Sequence, residues 1–399
     1  MSLGKNIAVP NSLPTFVRLG PFYRLQRRLG LLSDAELRAG RRALLFIAVA
    51  WIPVLVLGGL GSLGVGVRSQ HTVFEDFSVY AFAIAIGAFV FMEQSSERRM
   101  AMLVGQLQKR GIVASEGSAA FVGVVNRMER RTGSWLAEVL ILLSAYLLTY
   151  AWIVSNALKL DGGTWIAQVV EGSVRLTLAG WWAALVALPL YWFLGGRWLW
   201  RFWTWGLMLY GFAKCELRLV ATHPDRCGGL AFMGQYPKTY VLFVFAQSTV
   251  VSSTVLKHIV EGGLGLASFK LALIGLIAFF ALAFVVPLLV FTPVLLKLKH
   301  VGLSHYGTLA SQHNLAFESK WVDASPTPSG ADLLGAPDPS SMADFAASYD
   351  LVKRMLPIPV TKESVLPILA AAVLPLACVA ATRVPIAKVL EVAKTLMPF

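Results

Sequence analysis

Charge is scarce in this chain of 399 residues: Asp, Glu, Lys and Arg together make up 14%, against about 25% in soluble domains. Acidic residues are the scarcer sign, 22 against 35 basic ones, for a formal net charge of +13. Cysteine is rarer still. Cys215, Cys227 and Cys378 form no CxxC or zinc-ribbon spacing, and their odd number leaves one unpaired in any scheme. A disulfide scaffold is not expected. No positively charged leader ends in a small-residue cleavage site, so the first apolar run is expected to stay as an anchor. No P-loop or HExxH motif and no convincing internal repeat is present. Without paired broken helices in two halves, the pattern of an inverted-repeat transporter is missing.

Apolar residues, by contrast, make up 56% of the chain, and the mean hydropathy is +0.65. Several runs reach or approach the roughly 20 residues needed to cross a hydrocarbon core. In lipid such runs must be helical, because open strands and loops would leave backbone groups unpaired. The expected fold is therefore an all-α, polytopic helical membrane protein. Its basic residues gather between the apolar runs, where they suit the anionic cytoplasmic leaflet, and nucleic acid is not an expected partner.

Residues 1–42 form an amphipathic lead, FVRLGPFYRLQRRLGLL, expected to lie on the membrane face. Ser33 and Glu36 of SDAE have capping-box spacing and should open the first span. The transmembrane domain, 43–296, has expected spans at about 43–61, 77–92, 136–158, 176–194, 239–256 and 271–296. Between Glu93 and Trp135 lie Arg98, Arg99, Lys109, Arg110, Arg127, Arg130 and Arg131, and two amphipathic helices are expected around Gly111. The stretch 197–216 carries Trp198, Trp200, Trp203 and Trp205, with Arg197 and Arg201 one turn apart. Indole rings favour the headgroup level, so it reads as an interfacial helix. Residues 297–362 read as a small cytoplasmic appendage. Residues 363–399 read as an apolar span or re-entrant hairpin followed by an amphipathic tail. The loops with few basic residues fall on one side, which places the amino terminus and the segment 93–135 on the cytoplasmic side.

One stretch stands apart from these runs, HPDRCGG at 223–229. It reads first as a structured turn, with Pro224 fixing φ, Asp225 accepting nearby N–H groups and Gly228 and Gly229 supplying backbone freedom. It reads second as an anion or headgroup site, with N–H groups around Gly228 and Gly229 forming a nest and Arg226 offering a fork, flanked by His223 and Asp225. A third reading pools His223, Asp225 and Cys227 with His300, His305 and His313, but those spacings match no standard metal signature. No metal and no cofactor is expected.

In the fifth span, AQSTVVSSTVLKH places Ser248 with Ser252 and Thr249 with Ser253 at i,i+4 spacing. Such a face serves either close helix packing or a hydrated path. The path reading lines it with Gln247, Ser248 and Ser252 and puts Lys257, His258 and Glu261 at its outer mouth. Glu93 and Glu138 sit near the cytoplasmic boundary, placed either to mark a pathway or to snorkel and pair with Arg98 or Arg131.

LVATHPDRCGGL, HYGTLASQHNLAFESKWV and LLGAPDPSSMADFAASYDLVKRMLPIP together resemble a family of uncharacterised bacterial multi-pass inner-membrane proteins with an HPDRxGGL signature. The likeness covers roughly Arg197 onward and implies five to seven membrane helices, with no activity, substrate or cofactor attached. Pro337 and Pro339 around Asp338 depart from the family pattern. Taken by itself, SMADFAASYDLVKRM is an amphipathic helix with Met342, Phe345, Tyr349, Val352 and Met355 on one side, expected to pack near HPDRCGG. The functional expectation is an oligomeric inner-membrane channel or transporter-like protein handling a small ion or anionic ligand. The alternatives are a lipid- or partner-binding scaffold and an integral membrane enzyme at the cytoplasmic interface. Membrane lipids and further copies of the chain are the expected partners.

Overall fold

The computed structural model describes residues 16–32, 37–63, 72–113, 118–157, 164–170, 173–261, 263, 265–323 and 336–381. The expected capping box at Ser33–Glu36, the Pro/Ser/Gly-rich loop at 324–335 and the tail at 382–399 lie outside the described residues. Among the described residues seven helices are long and apolar enough to cross a bilayer, and the chain is an all-α helical membrane protein.

A short helix, α1 (Pro21–Arg28), precedes α2 (Ala39–Leu63). Next comes α3 (Phe77–Lys109), where Asp76 Oδ1 accepts the Ser78 N–H at 3.0 Å and caps the first turn. After Gly111, in the left-handed region at φ 65°, follow α4 (Ser118–Thr132) and α5 (Trp135–Ala157). Two helical segments thus flank Gly111 as expected, the first being the far end of α3.

A two-stranded antiparallel hairpin, β1 (Ala167–Val170) and β2 (Ser173–Leu176), pairs Ala167 with Leu176. It occupies what reads in sequence as a plain loop. Thr177 then caps α6 through the Gly180 N–H, at 2.9 Å. Helix α6 runs from Leu178 to Ala213, with one widened turn at Ala183–Ala187. This corrects the expected interfacial helix at 197–216: that stretch continues the fourth span. At 36 residues, α6 is about 54 Å long and outreaches a core of about 30 Å.

A tight-wound segment, Ala231–Tyr240, leads into α7 (Val241–Glu261). Helix α8 (Lys270–Val285) passes through another, Val286–Phe291, into α9 (Thr292–Phe317). The appendage is a hairpin of α9 and α10 (Pro337–Lys353). On α10, Phe345 meets Tyr306 and His313 of α9, and Val352 is fully buried. The last apolar run forms one helix, α11 (Lys362–Ala381), with Pro367 and Pro375 inside it. It starts beside Gly234 and ends beside Val255 and Ile259, so it runs the length of the bundle as a seventh span.

Helix α3 is the axis, packed against α2, α6 and α7, while α11 lies along α7. Mid-bundle, the core is aromatic: Trp51 stacks on Phe82, Phe82 meets Tyr191 edge-on at 4.8 Å, and Phe89 lies 5.6 Å from Phe243. Leu44, Leu147 and Leu271, on α2, α5 and α8, point outward as lipid-facing residues must. Arg38, Arg41, Arg98, Arg130 and Arg131 crowd one end of the bundle, called the basic end below. The hairpin and Asp76 mark the other.

Candidate functional site at the basic end of the bundle

Four helices each bring charge to one buried point. Arg42 is in the first turn of α2, Glu93 midway along α3, Glu138 in the first turn of α5, and Arg197 and Arg201 one turn apart on α6. All five are at most 8% exposed. Arg42 Nη2 donates to Glu93 Oε2 at 2.5 Å, and Arg201 Nη1 reaches Glu93 Oε1 at 3.3 Å. Arg197 bridges the two carboxylates, 3.5 Å from Glu93 and 3.4 Å from Glu138. Burying an ion is costly unless it is paired and its remaining donors are used. Here they are: Arg42 Nε donates to Gln26 Oε1 at 2.8 Å, and Arg201 Nη2 to the Val17 carbonyl at 3.4 Å. Arg197 lies over the Phe22 ring and Arg201 over Trp198, adding cation–π attraction.

The segment before α2 seals this lattice. Glu97 Oε2 accepts the N–H groups of Phe16 and Val17, at 3.0 and 2.6 Å, and Glu138 Oε2 accepts that of Phe22 at 2.7 Å. Gly20 makes the approach possible. Its φ is 95°, and a Cβ there would sit 2.5 Å from Glu138 Oε1. Sequence reasoning singled out Glu93 and Glu138 but named the wrong partners: Arg42, Arg197 and Arg201 hold them, not Arg98 or Arg131. The available signal was the i,i+4 pair Arg197 and Arg201 inside an apolar stretch, where unpaired guanidiniums could not rest.

At the same end, HPDRCGG is a tight turn organised by one carboxylate. Asp225 Oδ1 accepts the N–H groups of Cys227 and Gly229, at 2.8 and 3.0 Å, and Oδ2 that of Ala231 at 3.0 Å. His223 Nδ1 lies 2.8 Å from Oδ1. Burial would push the Asp225 carboxyl up, but these three donors and His223 outweigh it and hold it below its usual range. Arg226, Gly228 and Gly229 all have positive φ, at 58°, 63° and 100°. The Arg226 side chain is exposed. The nest N–H groups of Cys227 and Gly229 are thus spoken for by Asp225.

Cys227 is fully buried, its thiol pushed up to about 12 by burial and by Asp225. That thiol is protonated and inert at neutral pH. The appendage docks on the outside of the turn: the Leu356 N–H donates to the Arg226 carbonyl at 2.7 Å, and Lys299 Nζ to the Met355 carbonyl at 2.9 Å. SMADFAASYDLVKRM therefore ends against HPDRCGG, as its amphipathic pattern suggested. His300 and His305 are exposed on α9, and His313 contacts Ser341 Oγ at 3.1 Å. Among the described residues no three His, Cys, Asp or Glu side chains converge as metal ligands would.

In the polar strip of α7, Gln247 and Ser248 reach neighbouring helices, while Thr249, Ser253 and Thr254 bond carbonyls of their own helix. Ser248 Oγ donates to the Ala372 carbonyl of α11 at 2.5 Å, and Gln247 Oε1 accepts from the Tyr191 hydroxyl at 2.7 Å. Ser252 is buried. Toward the other end, Lys257 Nζ stands 4.0 Å from Asp76 Oδ2, which also accepts from Trp165 Nε1 at 2.8 Å. His258 is exposed, and α7 ends at Glu261, whose side chain lies outside the described residues. Site residues from the two ends are not brought together. No family model, curated protein or solved structure matches this chain.

Proposed function

We propose that this protein is a membrane-embedded scaffold of the bacterial inner membrane that engages anionic lipid, and a partner, through its basic end, and that this end faces the cytoplasm. The carrying observation is how the polar strip of α7 is used: Ser248 is tied to Ala372 and Gln247 to Tyr191, beside a core of packed aromatic rings. Those contacts support a static helix interface. The gathering of arginines at one end supports the orientation. Leu309, Leu315 and Val322 are exposed on the arm formed by α9 and its last turn, which supports association between copies.

The test is flux. Purified protein in liposomes should pass potassium, chloride and protons no faster than protein-free vesicles. Flux that disappears on Ser248→Leu would overturn the scaffold reading. For the orientation, Asn126→Cys and His305→Cys, in a background without native cysteines, should resist a membrane-impermeant thiol reagent in intact cells. Labelling before lysis would reverse it.

A second reading, a channel or transporter for a small anion, rests on the lattice. Charged groups inside spans commonly mark a path, and here three guanidiniums outnumber two carboxylates. On that reading the lattice with its covering segment is the inner closure, and Asp76 with Lys257 the outer one. Chloride flux increased by weakening the cover would favour it.

A further inference from the structure

Beside the sealed lattice, and sharing Arg18 and Glu97 with its cover, a cavity of about 580 Å³ opens at the basic end. Its wall is made by the start of α2, one face of α3 and Arg18 of the covering segment. Among the described residues four guanidiniums line it, those of Arg18, Arg38, Arg41 and Arg98, together with Gln94 and one carboxylate, Glu97. That carboxylate is already engaged by the Phe16 and Val17 N–H groups and by Arg18 Nε at 3.8 Å. Arg38, Arg41 and Arg98 are exposed, and among the described residues none of the three is in an ion pair. The amino-terminal end of α2 forms part of the wall, which adds the positive pole of a 25-residue helix.

Clustered, exposed guanidiniums on a concave surface repel one another unless an anion sits among them, and their planar forks match phosphate oxygens. The volume falls within the roughly 300–1,000 Å³ of small-ligand sites. Depth narrows the ligand further. Leu44, one turn into α2, is 71% exposed, and Phe91 on α3 is 50% exposed. Both are lipid-facing, and Phe91 touches the space beside Gly40 in the cavity wall. The cavity therefore opens at headgroup level, directly below acyl-chain depth.

We propose that this arginine-lined cavity binds a phosphate group, presented by an anionic lipid headgroup at the membrane boundary. The inference deepens the lipid-engaging function proposed above and rests on it. A lipid source places the phosphate among the four arginines while its chains lie along Leu44 and Phe91. A free phosphate ion would use the same guanidiniums and ignore those two side chains.

The test uses the full chain in detergent, with short-chain phosphatidic acid, short-chain phosphatidylcholine and inorganic phosphate as probes, read by native mass spectrometry and calorimetry. The cavity variant is Arg38→Gln/Arg41→Gln/Arg98→Gln. A charge-matched control removes three exposed arginines elsewhere, Arg28→Gln/Arg130→Gln/Arg131→Gln. Phosphatidic acid should bind wild type and control alike and the cavity variant at least about tenfold more weakly, a loss on the scale of one bidentate charge contact. Unchanged melting of both variants shows that they fold.

Inorganic phosphate binding as tightly as the lipid, with the same loss in the cavity variant, keeps the site and assigns it to a soluble anion. Equal losses in cavity variant and control mean diffuse charge attraction and overturn the site, as does absence of binding by either phosphate probe. Flux from wild-type liposomes would sink the scaffold reading and leave these binding outcomes intact, so the two failures are distinguishable.

Discussion

Two regions at the basic end hold polar groups away from water in opposite ways. In HPDRCGG every organising hydrogen bond is local: Asp225 reaches no farther than Ala231. In the lattice the ion-paired partners lie 51 to 108 residues apart in sequence, as Glu93 to Arg42 and to Arg201. The turn is therefore a unit that can form early and alone, whereas the lattice exists only after four helices and the covering segment have met. A local motif fixes a shape. A distributed one checks that the whole bundle is assembled, because one missing helix strands a charge in the interior.

The largest expected effect sharpens this contrast. Glu93→Gln leaves Arg42, Arg197 and Arg201 facing one another with Glu138 as their remaining carboxylate. Breaking a buried pair from one side costs about 3–5 kcal/mol, so the variant should lose its monodisperse peak in detergent or melt far below wild type. Wild-type melting would mean that water already reaches the lattice.

Asp225→Ala removes the acceptor for three N–H groups and should cost about 1–3 kcal/mol, with lost protease resistance near Leu356 as the local sign. The same carboxylate predicts a pH response. Its value is lowered in the folded protein, so its contribution is fully present above the unfolded value of about 3.9 and fades as pH falls through the folded value. A melting series from pH 6 to pH 3 should show a decline in wild type that is smaller in Asp225→Ala. Identical slopes would deny the carboxylate its role.

Ser248→Ala removes one interhelical hydrogen bond to Ala372, and membrane examples average about 0.6 kcal/mol. A similarly small drop in unfolding free energy, with no change in flux, fits packing. Smallest of all is Arg226→Ala, within about 0.5 kcal/mol of wild type as for most exposed positions. A clear functional loss there, without destabilisation, would mean that the turn does more than hold shape.

The sequence carries these features unevenly, and the contrast explains why. Apolar runs reveal spans because length and composition are local, so α2 and α5 lie within a few residues of expectation. The turn was legible for the same reason: Pro224, Asp225 and the two glycines carry their conformational preferences with them. Helix α6 was cut in two because tryptophans and arginines look interfacial until their partners are known. Trp198 donates to the Phe89 carbonyl and Arg201 pairs with Glu93, so both are buried in a continuous helix. The hairpin at 167–176 was too short to stand out. The lattice was half visible, its carboxylates noticed and its arginines assigned elsewhere, since no spacing rule joins residue 42 to 93 and 201.

One consequence of the appendage concerns mechanics. At its base α9 is clasped: Ala221 and Val352 close on Gly302, and Leu298 meets Gly228 of the turn. Beyond that clasp the helix continues to Phe317, a reach of about 23 Å at about 1.5 Å per residue. It is a lever whose fulcrum is the HPDRCGG turn. A rotation of about 10° there displaces the far end by about 4 Å on that reach, larger than a hydrogen bond is long. The other arm of the same lever is α8, where Phe280 and Phe284 are the buried side chains, one flank packs on α11 and Leu271 and Leu282 are exposed. Bilayer thickness acts on the tilt of such a helix, so a tilt of α8 carried through Val286–Phe291 would swing the tip of α9 as well.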